Sequence, residues 1–209
     1  MTDSLSHNQE NLISGNYFNK YQTKNPIFRY LMDNFLKSFD RLFLKNSYKN
    51  LLEVGCGEGY LLSHIKDICK NPISLTGIDN SNEIISFAKQ QVPQAKLHVA
   101  SASSLPFNNQ EFDIVVTCEV LEHVPEYEQA LAEISRVGSR YFIFSVPQEP
   151  IWRVLNVLRF KYLADGGNTP GHVNHWSREG FLKLISQHFN VEEVLTPFPW
   201  TMILAKKTA

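Results

Sequence analysis

The chain has 209 residues, and its 20 Lys and Arg against 21 Asp and Glu leave a formal net charge of -1 with no block of like charge. That balance argues against nucleic-acid binding driven by phosphate neutralisation, and the length suits one domain with a sizeable core rather than two. No apolar run approaches the roughly twenty residues that span a bilayer, Met1 to Asn11 lacks a basic-then-apolar signal, and three cysteines without metal-ligand spacing fit a reduced, cytoplasmic protein.

In chain order, the residues before Tyr17 are polar, while Tyr17, Phe18 and Tyr21 are aromatic enough to dock on a surface. Asn25-Pro26 supplies an N-cap and a first helical position. Ile27, Leu31, Phe35, Phe39 and Leu42 then recur at helical intervals, which predicts a helix to about Leu44. Next comes Leu51-Leu52-Glu53-Val54-Gly55-Cys56-Gly57-Glu58-Gly59-Tyr60-Leu61-Leu62, a short buried strand, a glycine turn and a helix start in succession. A helix N-terminus preceded by bare backbone amides attracts an anionic group. Ile73 to Ile78 is a second strand ending at Asp79, a carboxylate about twenty residues past the glycines, where nucleotide-binding folds place the acid that holds ribose hydroxyls.

Ser81 caps a helix through Gln91, Leu97 to Ala100 is a third strand, Phe112 to Thr117 a fourth, Tyr127 to Val137 a helix and Tyr141 to Val146 a fifth strand. Strands alternating with helices at these intervals predict an α/β fold with a doubly wound, mostly parallel sheet. Residues 147–176 break the rhythm: Ile151, Val154, Leu155, Leu158 and Tyr162 make an amphipathic helix, and a turn-rich loop runs from Asp165 to Gly171. An insertion at the carboxyl edge of such a sheet lies where ligands bind, so it reads as a small helical cap over a substrate. Ser177 caps a helix from Arg178 through His188, and Val191 to Leu195 and Met202 to Ala205 close the chain as an antiparallel hairpin.

The pattern Glu53-Val54-Gly55-Cys56-Gly57-Glu58-Gly59 resembles the first motif of the class I S-adenosylmethionine-dependent methyltransferases of the type 11 group. The resemblance continues through Ala100-Ser101-Ala102, Phe112-Asp113-Ile114-Val115-Val116 and Cys118-Glu119-Val120-Leu121-Glu122-His123-Val124-Pro125, and covers most of Lys49 to Lys206. It implies a seven-stranded Rossmann-like methyltransferase sheet with an antiparallel last strand, and transfer of a methyl group from S-adenosylmethionine to a small molecule, leaving S-adenosylhomocysteine. It divides the chain into an N-terminal helical lid, residues 1–44, and a cofactor-binding domain, residues 45–209. By the same resemblance Gly55, Cys56 and Gly57 line the methionine part of the cofactor with Glu53 near its ammonium. Asp79 takes both ribose hydroxyls, Asn80 neighbours the adenine, Ser101 and Ala102 contact its edge, and Cys118 and Glu119 lie beside the sulfonium. The family usually offers an Asp near Ser101, so this chain departs from it there.

His123, His172 and His175 are the candidate general bases. His172 and His175, three apart, have no third ligand at fixed spacing, so no metal is expected. Trp152, Leu155, Leu158 and Phe160 in the cap suggest an apolar or amphiphilic acceptor such as a quinone, lipid or sugar derivative. Two other functions stand beside this one. A nicotinamide oxidoreductase wants a third glycine at Tyr60, and a catalytically silent cofactor-binding partner or regulatory subunit is the alternative that Ser101 keeps open. The acceptor, the methylated atom and the oligomeric state stay open.

Overall fold

Among the residues described by the computed structural model, 25–208, seven strands form one sheet in the order β3-β2-β1-β4-β5-β7-β6. The aromatic stretch at Tyr17, Phe18 and Tyr21, and with it most of the lid expected over residues 1–44, lies outside the described residues. The strands are β1 (Asn50–Val54), β2 (Ser74–Asp79), β3 (Lys96–Val99), β4 (Phe112–Cys118), β5 (Gly138–Pro147), β6 (Phe189–Leu195) and β7 (Trp200–Lys207). Only β7 runs against its neighbours, pairing antiparallel with both β5 and β6, as the closing hairpin predicted.

Six α-helices flank the sheet: α1 (Pro26–Phe43), α2 (Tyr60–Ile68), α3 (Asn82–Gln91), α4 (Tyr127–Val137), α5 (Ile151–Leu158) and α6 (Arg178–His188). One core lies between the sheet and α1, α2 and α3; the second lies between the opposite face and α4 and α6. The α1 N-cap is Asn25, whose side chain accepts from the amides of Ile27 and Phe28 at 3.0 and 3.4 Å. Its apolar stripe of Met32, Phe35, Phe39, Leu42 and Phe43 is buried, each such side chain contributing about 1.5–3 kcal/mol. Phe35 meets Trp200 of β7 edge-on at 5.2 Å, so α1 shares one core with the strands.

Two elements differ from the sequence reading. β5 starts at Gly138 rather than Tyr141, because Gly138 pairs in register with Phe112 of β4; a Cβ there would come within 2.3 Å of the Phe142 ring. Helix α5 ends at Leu158, short of Tyr162. Phe160 and Tyr162 adopt left-handed backbone, φ 55° and 52°, which no helix can continue.

Candidate active site

The turn between β1 and α2 is held by main chain. Gly55, Gly57 and Gly59 all have positive φ, at 72°, 51° and 84°, which a side chain tolerates poorly. A Cβ on Gly55 would also stand 2.3 Å from Cγ2 of Val120, so the loop and the turn after β4 approach backbone to side chain. Cys56 donates its amide to the carbonyl of Ile78 at 2.8 Å, tying the loop to β2. Burial, with the charges of Glu53 and Asp79, pushes the Cys56 thiol far up, so it stays a neutral spacer rather than a nucleophile. Glu53 itself is buried, in register with Gly77 and Val116.

Asp79, at the carboxyl end of β2, is the electrostatic centre of this half. Its Oδ2 accepts the Gly57 amide and its Oδ1 the Ser81 amide, each at 3.1 Å. Burial raises its pKa above the ordinary value; the amides of Ser81 and Gly57 oppose that, and the Glu58 charge reinforces it. A carboxylate offers about four acceptor positions, and with the Asn80 amide also bonded to it roughly one remains for a ligand's hydroxyl. Close packing of helix on strand, a role that the dinucleotide fingerprint gives to a third loop glycine, falls to Gly77 of β2. A Cβ there would meet Leu62 of α2 at 2.8 Å. The sequence carried that signal only as a lone glycine inside a strand.

Asn80 is exposed beside Asp79. The amide of Ala100 donates to the Asp79 carbonyl at 3.0 Å, which brings Ser101 and Ala102 to the same edge. The Ser101 hydroxyl lies 2.9 Å from that of Ser103 and accepts the Ser103 amide at 3.2 Å. Ala102 packs against the second core.

Past β4 the chain turns sharply at Glu119, whose φ of 61° points its carboxylate toward β5 and β7. There Oε1 accepts from the Ser145 hydroxyl at 3.1 Å and Oε2 from the Trp200 indole at 2.6 Å. Cys118, half-buried, pairs in register with Ser145. Trp200 was not singled out from the sequence; its only cue was its place between Pro199 and the last strand.

The three candidate histidines come together. The His123 and His172 rings meet edge-on at 4.7 Å, and His172 lies 6.5 Å from both His175 and Trp152. His123 Nδ1 sits 3.0 Å from the Gly171 carbonyl, which can only accept, so Nδ1 carries the proton and Nε2 is the basic atom. His175 Nε2 lies 2.7 Å from Asn168 Oδ1, and the Asn168 amide nitrogen donates to the His172 carbonyl at 3.2 Å. That amide orientation makes His175 Nε2 the donor and leaves Nδ1 basic. Burial, then the nearby Arg153, lowers the His175 pKa against an opposing pull from Glu149, so the ring is neutral at pH 7. Glu122, His123 and His172 each offer a ligand atom, all within 4.8 Å of one another, a set with the donors to share one cation. The sequence reading weighed His172 with His175 and expected no metal, because the third member, Glu122, lies in the turn after β4, far from them in the chain.

Residues 52–141 match the methyltransferase domain family of the type 11 group. The ubiquinone biosynthesis O-methyltransferase of Coxiella burnetii is 27% identical over 154 residues, covering 66% of this chain and 64% of that protein. The enzyme of that name from Pelagibacter ubique is 35% identical over 120 residues, covering 54% and 48%. The chain thus spans less than two thirds of the length of these relatives. Among solved structures, the magnesium protoporphyrin IX methyltransferase of Synechocystis with bound S-adenosylhomocysteine superposes with a TM-score of 0.65 at 15% identity, covering 89% of both chains. At that identity the likeness is one of fold.

Proposed function

We propose, from the premise that this chain carries a class I methyltransferase domain of the type 11 group, that it transfers a methyl group from S-adenosylmethionine to a small-molecule acceptor held between the glycine loop and the cap. The observation that carries the proposal is Asp79. It is a buried carboxylate at the end of β2, braced by the Gly57, Ser81 and Asn80 amides with acceptor capacity left for a ribose hydroxyl. Glu53, buried in β1 ahead of the loop, supplies a negative charge for the ammonium. When bound, the cofactor supplies an intrinsically activated methyl group on a sulfonium.

The protein's own part is alignment, exclusion of water and removal of a proton. Alignment alone supplies up to about 7–11 kcal/mol of a transfer barrier. The cap contributes Trp152, whose ring lies 5.8 Å from Trp200 and whose indole donates to Thr169 at 2.9 Å, giving an aromatic wall at the carboxyl edge. On this reading His123 Nε2 or His175 Nδ1 takes the proton of an acceptor hydroxyl, a step worth about 10²–10⁴ in rate. An aromatic wall beside the His123 and His175 imidazoles suits a hydroxylated aromatic or amphiphilic acceptor, and the names of the Coxiella and Pelagibacter relatives support O-methylation of a quinone precursor.

The test is calorimetric titration with S-adenosylmethionine, S-adenosylhomocysteine and NAD, then assay of S-adenosylhomocysteine release across phenolic and quinol acceptors. Binding of the first two at micromolar concentration, lost in Asp79→Ala, with turnover on at least one acceptor, is the expected result. Binding without turnover on any acceptor favours the silent-partner reading, which the self-satisfied Ser101 hydroxyl supports. Preference for NAD overturns both.

A further inference from the structure

We propose that the outer face of α5, the loop that follows it and the first turn of α1 form a docking surface for an anionic phospholipid bilayer. α5 has two apolar faces with different neighbours. Inward, Trp152 meets His172 and Trp200. Outward, among the described residues, Val154, Val157, Leu158, Phe160 and Leu163 are exposed, Phe160 by 84% and Leu158 by 69%. Ile27 and Tyr30 of α1 are exposed as well, and the Arg159 guanidinium lies 5.0 Å over the Phe28 ring, so the start of α1 touches the end of α5. A contiguous apolar patch on a surface marks an interaction site.

The display is built. Phe160 and Tyr162 hold left-handed backbone, at a cost that persists only where the surroundings over-determine it. Those surroundings are visible: buried Asn156 donates to the Gly167 carbonyl at 2.8 Å, and the Gly167 amide donates to the Tyr162 carbonyl at 2.8 Å. A Cβ at Gly167 would come within 2.4 Å of the Arg153 carbonyl, so only glycine lets the loop fold back and push Phe160 outward. An aromatic side chain is thus held in solvent by a closed set of bonds.

Charge selects the occupant. Arg29, Arg159 and Lys161 are exposed within the patch, and the acids of the same segments are Asp33 and Asp165, so cations outnumber acids. Apolar side chains ringed by guanidinium and ammonium groups match the boundary between acyl chains and anionic headgroups, where the former bury and the latter pair with phosphate. No helix among the described residues is long and apolar enough to cross a membrane, so the contact is peripheral. The placement is independent of the methyl-transfer reading and fails separately from it.

The experiment is co-sedimentation of the full chain with vesicles of phosphatidylcholine alone and of phosphatidylcholine with phosphatidylglycerol, at low and high salt. Partitioning onto the anionic vesicles should exceed that onto the neutral ones by about tenfold or more and fall as salt rises. Leu158→Asp with Phe160→Asp should lower it a further tenfold or more, and Lys161→Gln by about fivefold at low salt. Circular dichroism melting and titration with S-adenosylmethionine verify that each variant is folded. Equal partitioning on both vesicles, or full retention in the double variant, overturns the proposal. So does a concentration-dependent dimer in light scattering that the double variant abolishes, which would give the face to a second copy of the chain.

Discussion

At the ends of β1 and β2 the functional groups are held by main chain: positive-φ glycines, the Cys56 amide on Ile78, and Asp79 accepting two amides. At the ends of β4, β5 and β7 they are held by side chains from distant segments. Glu119 is clasped by Ser145 and by Trp200, 81 residues away, and His123 by Gly171, 48 residues away. The first arrangement is intolerant at a few positions and indifferent at the rest, since backbone geometry does not depend on side-chain identity. The second can be rebuilt one residue at a time, which suits a fold whose cofactor is fixed and whose acceptor varies.

The largest break in the main-chain half should come from Gly55→Ala. Left-handed backbone in an alanine costs about 1–2 kcal/mol, and the clash with Val120 adds about 1–3 kcal/mol. Cofactor affinity by calorimetry should fall by about a hundredfold or more. Adding Val120→Ala should restore the steric share and leave the backbone share, so full rescue would show that φ is not what matters there.

Asp79→Asn comes next, with a loss of about tenfold to a hundredfold, because charge-assisted bonds contribute about 1.5–3 kcal/mol. Its pH signature separates it from a packing defect. Since burial raises the Asp79 pKa, the ionised acceptor is lost as pH falls through a value above the usual aspartate range, and affinity should decline with it. Stability moves the other way: a folded pKa above the unfolded one favours the native state at low pH, and that contribution disappears as pH rises through the folded value. Titrations from pH 4 to 8 should show affinity falling toward acid in the parent and flat in Asp79→Asn; parallel curves would remove the carboxylate from the ribose site.

In the side-chain half, His175→Gln should lower turnover by about tenfold to a hundredfold while leaving cofactor affinity unchanged. The depressed His175 pKa keeps the ring neutral below the usual histidine range, so the acid limb of kcat should lie lower than an ordinary imidazole would put it. The stability it lends is present above the unfolded pKa and is lost as pH falls through the folded one. An unshifted limb in His175→Gln would pass the base role to His123, testable by the matching substitution.

The same contrast explains what the sequence made legible. The glycine loop, Asp79 and the succession of strands and helices along the chain are written in residues close together in the chain, where turn chemistry and periodicity act. Ser81, Ser177 and Asn25 marked their helix starts for the same local reason. The partners of Glu119 and His123 were illegible, because Trp200 and Gly171 reach them only after β7 inserts beside β5 and the cap loop folds back. The early end of α5 was illegible too: the periodicity ran on through Tyr162, while the chain turned left-handed at Phe160.

The smallest effect falls at Ser101. The resemblance in sequence implies an Asp at the position of Ser101, whose hydroxyl is already bonded to Ser103 and on the proposed reading gives little to an adenine amino group. Ser101→Asp keeps the local turn, since one carboxylate oxygen can accept the Ser103 amide as the hydroxyl does now, and it frees the other for a ligand. The gain is one hydrogen bond of about 1 kcal/mol, or roughly fivefold in affinity for S-adenosylmethionine. That the gain should be so small follows from the main-chain half: with the glycines and Asp79 in place, the adenine edge adjusts affinity rather than creating it. Fivefold tightening in Ser101→Asp that persists in Asp79→Asn would show the two contacts to be independent. No tightening would mean that the Ser101 edge does not face the adenine, and the cofactor's orientation along the sheet would have to be drawn again from Asp79 alone.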